Sequence, residues 1–543
     1  MKKKYVRWTL WTIASPFILF IILCILIYLP PIQNFLVDKA AVYASEATGM
    51  NISVGRISLS FPLNLVVTNV DAASPHNDTL LSVRRLQVNV QLLPLLKKQV
   101  EVDGISLQGA TVNSNDLIHG MKLNGTLGEL FISSHGVALD PETAIVNKVL
   151  LKDTDLSLCL NDTAAADTAA SDTTYWKIIL QDIDLQNVSF ALDMPLDSLS
   201  LAASLDNAIL RDGLIDLHKS AYSLQTFRIE NGRVRYDNGK PLAADSLSSG
   251  LDPSHIALTD IGVKLDSLYY GGRNMKAIIS QFVLKERSGV EIVSATGRMV
   301  SNDKVLRVPS LKLETRDSYL ELNAAMDWNA LDFKDEGLVS ARLMADIGKP
   351  DVVRFMGSMD EKFIRQYPSE PLRIRTGIDG DLNKLKLTTL TAELPGALGL
   401  FARGELTHLT DSLLRGGDIT LEAETKDLKF VSTLAEGIEI PYGTRLEGKF
   451  TMAGTKMGTD LLLMQPEAQA VVAADTIPIT VYNDSISVAD DFKMERAARL
   501  FAKYDLSRDR YEADLAVNHF DLHQFMPADS LYTLSTRLKV EGE

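Results

Sequence analysis

Eight histidines and two cysteines are the residues of this 543-residue chain whose spacing would most readily announce chemistry. His519 and His523 stand four apart, the separation that puts two imidazoles on one helix face for a metal ion. The helix-forming stretch there begins only at Asp521, so a surface pair is expected instead. His76, His119, His135, His218, His255 and His408 are scattered among expected loops and strand ends. Cys24 lies inside the apolar N-terminal segment and Cys159 far outside it, so neither a disulfide nor a metal spacing is expected. There is no GxSxG elbow, no HExxH, no phosphate-binding GxxxxGK[ST], and no cysteine beside a plausible base. The acidic spots Asp153, Asp155, Asp182 and Asp184 read as solvated strand edges, where charge discourages pairing with other sheets. The chain is therefore not expected to be an enzyme, and no catalytic, cofactor-binding or metal residue is assigned. Its 70 acidic against 55 basic residues, a net charge of −15, argue against a nucleic-acid partner, which needs clustered Lys and Arg.

The elements behind these residues are mostly strands. From Asn51 onward the dominant pattern has period two. Leu86, Val88, Val90 and Leu92 alternate with polar residues, as do Leu320 and Leu322, and Ile419 and Leu421. Each such run is a strand with one apolar face. Asn231-Gly232, Asn238-Gly239, Gly271-Gly272 and Gly416-Gly417 read as turns, favouring antiparallel meanders over crossover units. Helices are few, the best being Asp351 to Tyr367, with brief turns after Asp427 and Asp521, each opened by an Asp that can cap free N–H groups.

A repeat runs through the second half. LFARGELT at Leu400 to Thr407 returns as LFAKYDLS at Leu500 to Ser507, and an earlier version is Leu322 to Trp328. Each is followed by a related piece: Arg342 to Phe355, Leu421 to Phe430, and Leu515 to Phe525. Leu306, Val308, Leu311 and Glu314 match Leu385, Leu387, Leu390 and Glu393, while Thr444 to Leu446 match Thr536 to Leu538. On this match the second half of Asp490 to Tyr504 is expected as strand. Offsets of about 80 to 100 residues suit an elongated array of strand groups. The expected units are 289–367, 368–443 and 444–535. The copy beginning near Thr536 stops short, which predicts a longer natural chain.

Trp8 to Leu29 carries no charge over 22 residues, about 33 Å as a helix, enough for a ~30 Å hydrocarbon layer. Trp8, Trp11, Phe17, Phe20, Tyr28 and Leu29 are its anchor residues. Lys2, Lys3, Lys4 and Arg7 precede it, placing the tail 1–7 in the cytoplasm and the bulk of the chain outside. A cleaved signal peptide would have a shorter apolar core and a small-residue site close behind, whereas this one ends in Pro30 and Pro31. Residues 30–48 read as an amphipathic helix, either lying at the membrane exit or plugging one end of the following sheet.

A long sheet with one apolar face and few helices must cover that face. Successive sandwiches or barrels would do so; a trough lined for lipid chains is the alternative.

The tract from Pro31 to Asn113 resembles the N-terminus of AsmA-like and TamB-like envelope proteins. The resemblance is carried by Thr48, Gly49, Ile52, Val54, Gly55, Ile57 and Leu59, then Leu65, Val67, Asn69 and Val70. It continues through Leu86, Val88, Leu95, Val100, Val102, Ile105, Leu107 and Val112, and Ile183 to Phe190 repeats the final phrase. It covers the first 113 residues well and the rest by repeat style, and the characteristic C-terminal domain of the TamB-like branch is missing. The resemblance implies a mainly β fold: an N-terminal transmembrane helix, then an elongated, repetitive antiparallel β trough, U-shaped, with a few short helices. The β region would span 49–288 and the repeats 289–543. It implies a single-pass inner-membrane protein of a Gram-negative periplasm that carries phospholipids to the outer membrane, with no cofactor. It also implies a translocation and assembly module with a TamA-type barrel partner, so a scaffold for inserting outer-membrane proteins stays open. The groove wall would be Leu86, Val88, Val90, Leu92, Leu320, Leu322, Ile419 and Leu421. A phospholipid with ~30 methylenes would lose on the order of 24 kcal/mol on exposing its chains to water, at ~0.8 kcal/mol each; an apolar trough removes that cost. About 490 residues as ~35 to 40 short strands would reach ~170 to 190 Å.

The low-complexity stretch Asp162 to Thr174 reads as a flexible loop. Its triplets at Thr163, Thr168 and Thr173 resemble an O-glycosylation acceptor motif of some Gram-negative bacteria, with a solvated linker as the plainer reading.

Overall fold

The period-two alternation folds as strand, and the protein is mainly β: twenty-five strands make up most of what the computed structural model describes. The described residues are 39, 41, 42, 45, 49–60, 64–74, 79–90, 102–114, 120–138, 142–161, 175–239 and 250–334. They continue through 337–356, 360–434, 437–466, 494–527 and 531–542. The expected anchor 8–29, the loop 162–174 with Thr163, Thr168 and Thr173, and Leu92 lie outside them. Among the described residues no helix is long and apolar enough to cross a membrane. Of the helix expected over 30–48, Lys39, Ala41, Val42 and Ser45 are helical, and Ser45 Oγ accepts a hydrogen bond from Ile52 N at 3.0 Å. The strands run 4 to 18 residues, so they are longer and fewer than the ~35 to 40 expected.

The chain divides into two units: Met1–Leu247 with Pro253–Gly272 and Leu284–Arg287, and Ser248–Asp252 with Arg273–Val283 and Ser288–Glu543. The first contains β1 (Asn51–Ser60), β2 (Asn64–Ala73), β3 (Thr79–Val90), β4 (Val102–Asn113), β5 (Met121–Ala138) and β6 (Thr143–Leu160). It continues with β7 (Lys177–Met194), β8 (Leu199–Asp216), β9 (Ala221–Leu224), β10 (Thr226–Asn238) and β11 (His255–Gly271). Neighbours in the chain pair antiparallel from β1 to β6. β6 and β7 are parallel, from Thr143↔Lys177 to Cys159↔Asp193, which corrects the expectation of meanders throughout. Parallel neighbours need a crossover of about a dozen residues or more, and residues 161–176 provide that length. β8 then pairs with β9 and with β10, as does β11.

One line of residues crosses this unit perpendicular to the strands. Gly55, Asn69, Arg84, Gly109, Gly128, Asp153, Asn187, Asp206 and Asn231 sit side by side on nine strands, each skipped by the pairing register. Asn69, Gly109, Asp153, Asn187 and Asn231 have φ between +49° and +60°, the left-handed region that Gly, Asn and Asp enter at least cost. Each strand thus holds one extra residue at the same level, as a β-bulge does. The apolar positions step by two, then three, then two: Ile52, Val54, Ile57, Leu59 on β1, and Val149, Leu151, Thr154, Leu156 on β6. The extra residue keeps the apolar side chains on one face in both halves of every strand. Asn231-Gly232, expected as a turn, belongs to this crease inside β10.

In the second unit lie most of β12 (Asn274–Glu286), β13 (Glu291–Ser301), β14 (Val305–Thr315), β15 (Tyr319–Asp327), β16 (Leu338–Ile347), β17 (Leu372–Asp381), β18 (Lys384–Leu394) and β19 (Leu398–Thr407). β20 (Gly416–Thr425), β21 (Arg445–Ala453), β22 (Lys456–Met464), β23 (Ala497–Asp505), β24 (Arg510–Asp521) and β25 (Thr533–Gly542) follow. From β13 to β25 successive strands pair antiparallel. The sequence repeats fall every four strands: β15, β19 and β23 hold the LFARGELT-like pieces, and β16, β20 and β24 the pieces after them. Gly416-Gly417, expected as a turn, opens β20 instead; a Cβ on Gly417 would lie 2.2 Å from Glu405 O, so only glycine fits beside β19.

Among the described residues of this unit the α-helices are four and short, α1 (Trp328–Leu331), α2 (Lys349–Met356), α3 (Glu361–Gln366) and α4 (Lys429–Ser432), with a 3-10 turn at Leu522–Gln524. The single helix expected over Asp351 to Tyr367 is two, because Asp360 opens a new N-terminus by accepting from Lys362 N at 2.7 Å. Asp521 caps as expected, accepting from His523 N, whereas Asp427 stands one residue before the cap position Leu428 and accepts from Lys429 N. Asp351 does not cap; it lies inside α2 and is 1% exposed. A sealed cluster of Phe363, Tyr367, Leu394, Ala397, Leu428 and Phe430 forms where α3 and α4 meet the strand ends.

Candidate functional site

The feature that each unit presents in quantity is an apolar sheet face. In the first, the register carries hydrocarbon side chains straight across the strands: Leu65, Val88, Ile105, Ile132, Val149, Ile183, Leu210, Phe227 and Leu265 are successive cross-strand partners from β2 to β11. A second row two residues away runs Val67, Leu86, Leu107, Leu130, Leu151, Leu185, Ala208, Ile229 and Val263. Cross-strand neighbours share a face, so the rows are contiguous.

In the second unit Leu311, Leu322, Leu343, Thr376, Leu390, Ala402, Leu421, Gly448, Leu461, Leu500, Leu515 and Leu538 form one row from β14 to β25. The expected wall residues therefore fall together within each unit: Leu86, Val88 and Val90 share one face, and Leu320, Leu322, Ile419 and Leu421 another. All seven are half-buried, neither sealed in a core nor fully in water. Shallow clefts mark both units. One of about 510 Å³ is lined by Leu398, Leu400 and Leu446 together with Glu393, Glu422 and Arg445, and one of about 320 Å³ by Phe190 and Val234 together with Asp155 and Arg233, so both are mixed in character.

The opposite faces are polar and knit by cross-strand pairs. Arg499 grips Asp460 with Nε at 2.8 Å and Nη2 at 2.6 Å, and Arg537 grips Asp514 at 2.9 and 2.7 Å. Both guanidinium forks hold their carboxyls below the usual carboxylate range. Asp182 and Asp184, expected at strand edges, are on the interior strand β7 and pair with Arg211 of β8. Asp153 and Asp155 accept from Asn187 and Ser189 across the parallel pair. Asp182 and Asp184 neutralise Arg211, Asp153 and Asp155 bind neutral donors, and none of the four guards an edge.

The histidine pair does not share a helix. His519 is a left-handed residue in β24 hydrogen-bonding Asn518, while His523 stacks on Tyr532 at 5.2 Å. Among the described residues no group of three His, Cys, Asp or Glu is placed to hold a metal.

Two polar features escaped the sequence reading. The crease is one; its signal was the step of three inside runs of two. The other is Asp351, which accepts from Thr315 Oγ1, from Ser318 Oγ at 2.6 Å and from Arg354 Nη1 at 2.9 Å. Burial pushes its carboxyl up, but these donors outweigh burial and hold it below the usual range. Arg354 also reaches Asp317 at 2.9 Å, so the cluster ties α2 to the β14–β15 turn. It is a structural tie between these elements.

No protein-family model matches the chain, and no curated protein matches it.

Proposed function

We propose that the apolar faces carry the acyl chains of phospholipids, in an inner-membrane-anchored periplasmic conduit serving lipid transport to the outer membrane. The supporting observation is the half-buried state of Leu86, Val88, Val90, Leu320, Leu322, Ile419 and Leu421 on rows without charge. Sealed sandwiches would have buried these side chains, as the cluster around Phe363 is buried. The backbone of interior strands is already paired on both sides, so an occupant of these faces gains no main-chain hydrogen bond. Hydrocarbon suits such a surface, while an extended peptide would bury its own N–H and C=O groups unpaired. The resemblance of Pro31 to Asn113 to AsmA-like and TamB-like proteins agrees with this reading, as does the uncharged run Trp8 to Leu29.

The test is direct. The full-length protein, extracted in mild detergent, is analysed for co-purifying phospholipid and for transfer of fluorescent phosphatidylethanolamine between liposomes. Stoichiometric lipid and transfer above the protein-free rate are expected; clean protein without transfer would overturn the proposal.

A further inference from the structure

Among the described residues, five side chains of pure hydrocarbon are more than 60% exposed: Leu196, Phe333, Leu338, Leu413 and Leu414. Leu196 stands by itself in the first unit. The other four meet at one rim of the second unit, at the strand ends where Leu338 faces Asp381, Lys384 faces Thr407, and Thr407 faces Gly416. Leu413 at 76% and Phe333 at 71% are the two most exposed large apolar side chains described. The β15–β16 and β19–β20 connections that carry the four are joined beneath by a small core of Ala330, Val339 and Leu382, with Leu409 packed on it. The β19–β20 loop is firmly held. Asp411 Oδ1 accepts from Leu413 N at 2.8 Å and from Leu414 N at 3.1 Å, and Asp411 O accepts from Arg415 N. Arg415 Nε donates to Gly454 O of the neighbouring β21–β22 turn at 2.8 Å. Asp381 and Asp327 are also turned to backbone, accepting from Asn383 N and Leu338 N, while Lys304, Lys334 and Lys384 of the same rim are exposed.

We infer that this rim docks on the surface of a phospholipid bilayer, with Phe333, Leu338, Leu413 and Leu414 dipping among the acyl chains and the lysines at the level of the phosphates. Lipid offers no hydrogen bonds, so a segment enters it only with its amides already paired, as those of Leu338, Leu413 and Leu414 are. Lysine stems reach back from such a depth to the headgroups. Lys334 and Lys384 each share one carboxylate, Asp332 at 3.4 Å and Glu405 at 3.1 Å, and both remain open to water on their other sides. A protein partner fits this rim less well. At ~150 to 200 Å² for a large side chain, the exposed parts of the four come to on the order of 500 Å². A stable protein interface takes ~800 Å² from each partner. The paired amides of Leu413 and Leu414 also give a protein nothing to orient by. This contact is distinct from the apolar rows and goes beyond the conduit reading, since it holds whether or not those rows carry lipid.

The test attaches an NBD fluorophore at Leu413→Cys and, for comparison, at Tyr442→Cys, which is 70% exposed and lies before β21 at the opposite rim. Both labels go into full-length protein whose Cys24 and Cys159 are replaced by serine. The protein is reconstituted in vesicles of phosphatidylethanolamine and phosphatidylglycerol, with or without bromine on the acyl chains, which quenches the dye only on contact. At least twofold quenching by brominated lipid is expected at position 413, with the dye at 442 unchanged. Equal quenching at the two positions, or none at 413, would overturn the inference. A response at 413 that follows protein concentration and ignores bromination would also overturn it, assigning the rim to a second copy of the chain. Quenching at 413 in protein that transfers no lipid between liposomes would support the docking rim and count against the conduit alone. Far-UV circular dichroism of each variant confirms that the sheet is retained.

Discussion

Deleting Asp153 tests whether the crease holds the apolar face together. Asp153 is an exposed extra residue at φ +49°, between Leu151 and Thr154, which both point inward. Without it, Thr154 to Leu160 must turn over if Thr143 to Lys152 keep their partners, because one residue of slip exchanges the faces of a strand. Leu156, Leu158 and Leu160, now half-buried, would go to the polar side. At about half of the ~2 kcal/mol for burying a leucine, the loss is about 3 kcal/mol. Asp155 would meanwhile be driven toward the apolar side. Two substitutions calibrate the deletion. Asp153→Gly keeps the extra residue, loses the hydrogen bond from Asn187 and relieves backbone strain, each worth about 1 kcal/mol, so it should be near neutral. Asp153→Val puts a β-branched residue in the left-handed region and should cost about 2 kcal/mol. Hydrogen exchange by mass spectrometry on the full chain is the assay, because it localises the effect. Amides of β6 and β7 should exchange roughly a hundredfold faster in the deletion, at ~1.4 kcal/mol per tenfold, with β13 to β25 unchanged. Wild-type protection of β6 and β7 in the deletion would refute the account of the crease.

Three other outcomes are expected. Leu322→Arg puts an unpaired charge into the row that links β14 to β25 and should abolish liposome transfer without lowering protein yield; unchanged transfer at normal yield counts against the conduit. Asp351→Asn leaves Arg354 partly uncompensated and should cost about 3 kcal/mol in urea unfolding of the second unit. Because the folded carboxyl of Asp351 sits below its unfolded value, its stabilisation is complete above the unfolded value and fades as pH falls through the folded one. The acid-unfolding midpoints of wild type and Asp351→Asn should therefore converge at low pH, and a constant gap would contradict the pairing. Gly417→Ala, whose methyl would sit 2.2 Å from Glu405 O, should destabilise β19 and β20 by about 2 kcal/mol, seen as faster exchange of those strands alone.

Much of the sheet was legible because alternation is a local signal. Leu320 and Leu322, or Ile419 and Leu421, declare a one-sided strand without reference to anything distant, and the register then places them in rows. The strand at Ala497–Asp505 followed from LFAKYDLS matching LFARGELT, although its composition resembles helix. What failed was punctuation. Asn-Gly marks a left-handed residue, and at Asn231-Gly232 that residue bulges a continuing strand, since whether the chain reverses depends on partners from β8 and β11. The parallel pairing of β6 with β7 is likewise fixed by the return path between them, and the two strands look alike in either sense. Asp351 was expected as a cap because helix starts favour Asp; its burial depends on Thr315 and Ser318, more than thirty residues earlier.

The chain is able to seal apolar side chains and does so selectively. Where α3 and α4 meet the strand ends, Phe363, Tyr367 and Phe430 pack tilted and edge-to-face with ring centroids within 5.7 Å of one another, and all three are buried. Among the described residues, the rows of the sheet face hold most of their leucines only half-buried, while small residues between them such as Ala345 and Ala402 are buried. Their mixture of Leu with Ala, Gly and Thr, as at Ala402, Gly448 and Thr376, lowers the apolar area each strand shows while keeping charge away. A face tuned in that way is tolerable in water when empty and weakly attractive everywhere along its length. Those are the two requirements for a surface on which hydrocarbon moves without being trapped. A face that instead matched one partner closely would carry large side chains at fixed intervals and polar groups to orient it. The regular, small-residue-diluted rows of the second unit lack that pattern, which suits the proposed passage better than capture.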